Sequence, residues 1–163
     1  MWVSGDGSTS SAGYLVTWIA ADGSSATKIL VGIFVGCEYY SASQKQNVKS
    51  MFWPGADAIG DVSAYVVDDP DAQFMVQAGV AAVPFTQIYI GSTADVVVSP
   101  TGSNVTGISG MSLDTPTTTV TFPFKVVNVI TTPPTANGRD LATAYNYVVV
   151  GFNNQQYKAL LGV

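Results

Sequence analysis

The groups with which this chain could do chemistry are eleven carboxylates, six cations, a single cysteine and many hydroxyls, with no histidine at all. Without histidine, Ser-His and Cys-His nucleophilic catalysis is excluded, and the usual transition-metal ligand is missing. Ser41, Ser43 and Ser50 lie near Lys45 and Lys49, but no Ser-x-x-Lys on a helical pattern is present, so this stretch reads as a solvated polar loop. Five of the eleven carboxylates sit directly beside glycine or proline, and such aspartates are expected to make Asx-turns and not to form paired acids across a cleft. Asp68, Asp69 and Asp71 come nearest to a hard-cation site. They lack the spacing and distal glutamate of an EF-hand loop, so a capped turn or an interface contact is the expectation. No Gly-x-Gly-x-x-Gly and no Gly-Lys-Ser/Thr phosphate loop occurs. No catalytic, cofactor-binding or metal-binding residue is therefore assigned, and the chain is read as a non-enzyme.

Aromatic side chains remain: three Trp, eight Tyr and seven Phe. Most are expected in the core. Tyr39, Tyr40 and Trp53 flank polar loops and are expected to be exposed, as anchors of a protein interface. Cys37, being alone, makes no intrachain disulfide and is expected to be a small buried hydrophobe.

The elements that must hold these residues are short and β-type. Runs of Val, Ile, Thr, Tyr and Phe at 14–20, 28–35, 62–67, 73–77, 86–90, 95–99, 117–121, 124–130 and 145–152 are separated by turn residues. Asp22-Gly23 marks a hairpin, and the segment 68–71, with Pro70, marks a turn. In 73–77, Phe74 and Val76 fall on one face. No segment holds a helical apolar spacing over three turns; one helical turn at most is allowed, at 138–143, where Asn137-Gly138 reads equally as a plain turn. The expected fold class is all-β, a sandwich or barrel-like antiparallel domain with long loops. Residues 1–13, rich in Gly and Ser, read as a flexible arm. Residues 14–163 then form one domain, with a seam allowed near 68–71.

Composition narrows the partners. Charged residues make up 10% of the chain, against roughly 25% in an ordinary soluble domain. The surface is therefore expected to be neutral polar, covered by partners, or both. A net charge of −5 with scattered cations argues against nucleic acid and against anionic membrane surfaces. The longest apolar stretch, 29–37, falls far short of the roughly 20 residues of a spanning helix, and the N-terminus reads without a secretory signal.

Several stretches in order resemble one family. They are Gly32-Ile33-Phe34-Val35-Gly36-Cys37-Glu38-Tyr39, Trp53-Pro54-Gly55, Ala64-Tyr65-Val66-Val67-Asp68-Asp69-Pro70-Asp71 with Phe74-Met75-Val76-Gln77, and Thr106-Gly107-Ile108-Ser109-Gly110 with Leu113-Asp114. Tyr145-Asn146 and Phe152-Asn153-Asn154-Gln155-Gln156-Tyr157-Lys158 close the set. Together, from about residue 14 to residue 158, they resemble the decoration (cement) proteins of tailed-phage capsids. The resemblance implies a β-rich accessory protein on the outer capsid surface that bridges neighbouring major capsid proteins. Copies of the chain itself are a further expected partner. Members of that family often carry histidine in the final segment, where this chain has Gln155 and Gln156. The alternatives are a low-copy virion component of tail or fibre and, further off, a carbohydrate-binding β-module.

Overall fold

The computed structural model describes residues 2–5, 14–17, 30–79, 84–97, 102–103, 106, 108–132 and 140–158. In chain order the strands are β1 (Trp2–Gly5), β2 (Leu15–Thr17), β3 (Leu30–Ser41), β4 (Asn47–Ser50), β5 (Ala58–Val67), β6 (Gln73–Gln77), β7 (Thr93–Ala94), β8 (Val96–Val97), β9 (Ser112–Leu113), β10 (Phe124–Val129) and β11 (Tyr147–Phe152). Among the described residues the only helical pieces are single 3-10 turns at Gly55–Asp57 and Gln87–Tyr89. The fold is all-β and sandwich-like, with antiparallel sheets of which none closes into a barrel.

The larger sheet is organised around β3. Its twelve residues carry β5 along one edge, and β1 followed by β4 along the other. Gly32 is required where β5 ends, because a Cβ there would stand 2.2 Å from the Val67 carbonyl oxygen. The second sheet runs β6-β11-β10-β7. The short pair β8-β9 joins its β6 side through a bridge between Ala78 and Leu113. The turn at 68–72 is where the chain leaves the first sheet for the second.

Two cores result. The main one lies on the inner face of the second sheet, where Val76, Val148, Val150, Phe152, Phe124 and Val126 alternate inward and meet Leu113, Phe85 and Leu30. Each such side chain contributes about 1.5–3 kcal/mol on full burial. The smaller core is one face of the first sheet: Phe34, Cys37 and Tyr39, backed by Val48, Val62 and Val66.

Two buried amides tie the irregular parts to these cores. Asn146 accepts from the Phe85 N–H (2.9 Å) and donates to the Phe85 carbonyl (2.7 Å), imitating a strand partner, and also donates to the Asp140 carbonyl. Gln155 is fully buried at the junction of the sheets. Its amide donates to the Val31 carbonyl of β3 and to the Asp68 carbonyl just after β5, while its oxygen accepts from the Tyr157 N–H.

The strands at 62–67, 73–77, 124–130 and 145–152 emerge near their expected places, with Phe74 and Val76 both turned inward. Three expectations need correction. Trp2–Gly5 is a strand between β2 and β3, not part of a flexible arm, because its backbone completes two ladders; residues 6–13 lie outside the described set. The run at 86–90 makes a 3-10 turn, with Ile88 82% exposed, since no neighbouring strand offers it a ladder. The run at 117–121 is reduced to one bridge, Thr93 to Thr117, while the carbonyls of Val120 and Thr121 accept from Asn153 and Asn154. Of the two readings left open around 138–143, the described residues 140–143 take the plain turn, in which the Asp140 carboxylate caps the Ala142 and Thr143 N–H groups. The Asp22-Gly23 hairpin lies outside the described residues.

Candidate docking surface

The notable feature of the first sheet is the connection from β4 to β5. These strands flank β3 on opposite edges, so residues 51–57 must cross β3 over one of its faces. They cross on the Cys37 and Tyr39 side. The Cys37 thiol donates to the Phe52 carbonyl at 3.6 Å, and the Ser41 hydroxyl donates to Asp57 Oδ2 at 2.6 Å. The segment is thus a lid, and under it Cys37 is 1% and Tyr39 8% exposed.

The lid turns its backbone inward and its apolar side chains outward. Met51 is 85%, Phe52 38% and Trp53 48% exposed. From Met51 through Ala56 no side chain is charged. A covering loop that served folding alone would place these side chains underneath, where burial is favourable.

Both ends of the lid are fastened. At the first, the Ser50 hydroxyl donates to the Phe52 carbonyl (2.8 Å) and accepts from the Phe52 N–H (3.1 Å). At the second, Asp57 also accepts from the Ser43 N–H (3.0 Å), and its carbonyl accepts from the Ala42 N–H. These bonds join the lid to the β3–β4 turn, where the Lys45 backbone takes a positive φ of 55°. The Ser41 hydroxyl, followed by the Ser43 donors, holds the Asp57 carboxyl below the usual carboxylate range. Burial raises the Cys37 thiol, and burial followed by the Asp57 charge raises the Tyr39 phenol. A thiol raised in this way is a poor nucleophile.

The opposite face of the sheet is polar at its centre. Tyr65 donates to Glu38 at 3.0 Å, which also pairs with Lys49 at 3.7 Å, and Tyr40 and Ile59 are exposed beside them.

Of the six residues singled out from sequence, Tyr40 (42% exposed) and Trp53 are at the surface near one end of this sheet. Tyr39 is not: alternation along β3 turns it under the lid, so the expectation that it is exposed is corrected. Asp68, Asp69 and Asp71 lie beyond the far end of β5, roughly 25 Å away at 3.3 Å per strand residue. They form a turn in which Asp69 accepts from the Asp71 N–H (2.9 Å) and Asp71 pairs with Lys158 (3.2 Å). The structure therefore does not bring the aromatics and the acidic turn into one site. Among the described residues no group of three Cys, Asp or Glu side chains is placed to hold a metal ion.

Sequence reasoning missed Met51 and Phe52. The signal available was four consecutive apolar residues, 51–54, bounded by Ser50 and Gly55. It missed Gln155 and Asn146 as clamps, because nothing in a lone amide announces burial.

Comparison with protein-family models, with curated proteins and with solved structures finds no match for this chain.

Proposed function

We propose that this chain is a structural virion protein that decorates the outside of a tailed-phage capsid and stabilises contacts between major capsid subunits. The observation that carries the reading is the lid: a fastened segment, uncharged from Met51 through Ala56, whose Met51, Phe52 and Trp53 are exposed. An apolar segment held in one conformation loses little entropy on docking, which is how a few aromatic residues come to dominate an interface. The sparse charge supports the same reading, since neutral polar surface meets a neighbouring subunit without the cost of desolvating ions. The acidic balance suits the exterior of a container of nucleic acid. The resemblance of the ordered segments to decoration proteins supplies the capsid as partner. Bound free energy adds to the stability of the mature shell, multiplied over many copies.

The test is co-sedimentation of the purified protein with capsids lacking it, counting copies per shell. The expected result is saturation at a fixed ratio matching the lattice symmetry. Trp53→Ala should weaken binding by about 30-fold, the equivalent of about 2 kcal/mol for a central aromatic. A handful of copies per particle would favour a tail or fibre component. Absence of binding would remove the capsid as partner.

A further inference from the structure

The second sheet carries an open cleft of about 430 Å³, lined by residues 90–93, by Thr118 and Val120, and by Lys125 and Asn153. Its floor is the outer face of the sheet. Lys125 is exposed between the buried Phe124 and Val126 of β10, and it stands directly opposite Thr93 of β7. Across the sheet on β11 its other neighbour is Gly151, which has no side chain to cover it.

Hydrogen bonds set the shape of this cleft from within the chain. The Gly91 N–H donates to the Val126 carbonyl (2.8 Å), and the Val126 N–H donates to the Ser92 carbonyl (2.9 Å). The Thr93 hydroxyl donates to the Thr119 carbonyl at 2.8 Å. The Asn153 amide donates to the Val120 and Phe122 carbonyls at 2.9 and 2.8 Å. Walls fixed in this way lose little freedom when a ligand enters.

What faces the cleft is unsatisfied. Lys49 pairs with Glu38 and Lys158 with Asp71, whereas Lys125 has no ion-pair partner among the described residues. The Ser92 and Thr118 hydroxyls have no hydrogen-bond partner there either. No carboxylate lines the cleft, so in a chain of net charge −5 its single formal charge is positive. An unpaired surface lysine is ordinary by itself. Here it shares a fixed cleft, within the size range of small-molecule sites, with two free hydroxyls and the aliphatic Ile90 and Val120.

We infer that this cleft binds a small carboxylate that also carries hydroxyls, the chemistry of an acidic sugar. The Lys125 ammonium takes the carboxylate, Ser92 and Thr118 exchange hydrogen bonds with the ring hydroxyls, and Ile90 and Val120 meet its C–H face. Phosphate is served less well, because it favours clustered cations or a nest of N–H donors and this cleft has one cation. A neutral sugar leaves the ammonium unused. The ammonium is screened by water, so the dissociation constant for one sugar unit is on the order of 1 mM. The cleft lies on the second sheet and the lid on the first, so this goes beyond the decoration reading and does not rest on it.

Titration of the isolated full chain with glucuronate at constant ionic strength, followed by NMR of the backbone amides, tests it. Shifts at Gly91, Ser92, Thr118 and Lys125 should saturate. Glucose and acetate each carry half of the recognised chemistry and should bind at least about 5-fold more weakly, as should inorganic phosphate. Lys125→Met should weaken glucuronate binding about 5-fold, and Lys125→Arg, which keeps the charge, should restore most of it. Thr118→Ala, at an exposed position, serves as a second variant and should weaken binding about 3-fold. An oligogalacturonide that binds more tightly than the single sugar would assign the site to a polysaccharide, and equal binding to a free sugar acid. No saturable shift at these amides, acetate or phosphate binding as tightly as glucuronate, or undiminished affinity in both Lys125→Met and Thr118→Ala would overturn the inference.

Discussion

Exchanging Gln155 for methionine keeps the length of the side chain and removes its hydrogen bonds, which isolates what this amide does at the junction of the sheets. In the native fold it donates to the Val31 and Asp68 carbonyls at 2.9 and 3.0 Å and accepts from the Tyr157 N–H at 3.1 Å, with none of the residue exposed. A net hydrogen bond is worth about 1 kcal/mol, and a buried partner left unsatisfied costs about 1–3 kcal/mol. Methionine can still fill the space, so volume is nearly conserved and the cavity term is small. The sum is a loss of about 2–4 kcal/mol, which for a chain of this size lowers Tm by about 4–16 °C. Thermal unfolding followed by circular dichroism, with urea titration as a second measure, reads it directly. Gln156→Ala, at an exposed neighbour, should change stability by no more than about 0.5 kcal/mol. Gln155→Glu adds a pH signature. Its carboxylate faces two carbonyl oxygens, so burial raises its pKa, the deficit is full at neutral pH, and it shrinks as acid protonates the group. A methionine variant as stable as wild type would refute the view that this amide clamps the sheets together.

Three further outcomes follow from the same geometry. Asn146→Ala leaves the Phe85 N–H and carbonyl without their buried partner and should cost about 2–4 kcal/mol in urea titration, with the main core near Phe85 loosening first. Asp57 and Asp140 both titrate below the usual carboxylate range, the first held by Ser41 and Ser43, the second by the Thr143 hydroxyl and by N–H groups of Thr143 and Ala142. A depressed folded pKa means stability that is present above the unfolded value of about 4 and lost as pH falls through the folded one; Tm should therefore drop below about pH 4, and Asp57→Asn should flatten that drop. Ser50→Ala removes both bonds that fasten the first end of the lid, and alkylation of native Cys37 by iodoacetamide should accelerate about 5-fold or more, for about 1 kcal/mol of lost hydrogen bonding; an unchanged rate would show that the lid is held from elsewhere.

The all-β class was legible in the chain because β-branched and aromatic residues recur in short runs between turn formers, and that information is local. The turn at Asp68, Asp69 and Asp71 was legible for the same reason: an aspartate that caps an N–H two residues on needs only its own neighbours. The absence of histidine, the lone Cys37 and the low charge likewise speak without a fold. Local propensity could not say which runs would find a partner. Thr and Val suit a strand at 117–121 and at 86–90, yet a strand exists only where a second backbone satisfies its ladder. Trp2–Gly5, in a stretch of Gly and Ser, became a strand because β2 and β3 stand on either side of it.

The candidate surface depended on tertiary structure still more. Tyr39 and Tyr40 are adjacent and chemically alike, and alternation along β3 places one beneath the lid and the other in solvent. Met51, Phe52 and Trp53 have the composition of a core segment. They face outward because β4 and β5 lie on opposite edges of β3, which forces the connection across a face already filled by Phe34, Cys37 and Tyr39. Side-chain composition carries the hydrophobic effect. Which side of a chain is left to meet a partner is decided by how the strands are joined.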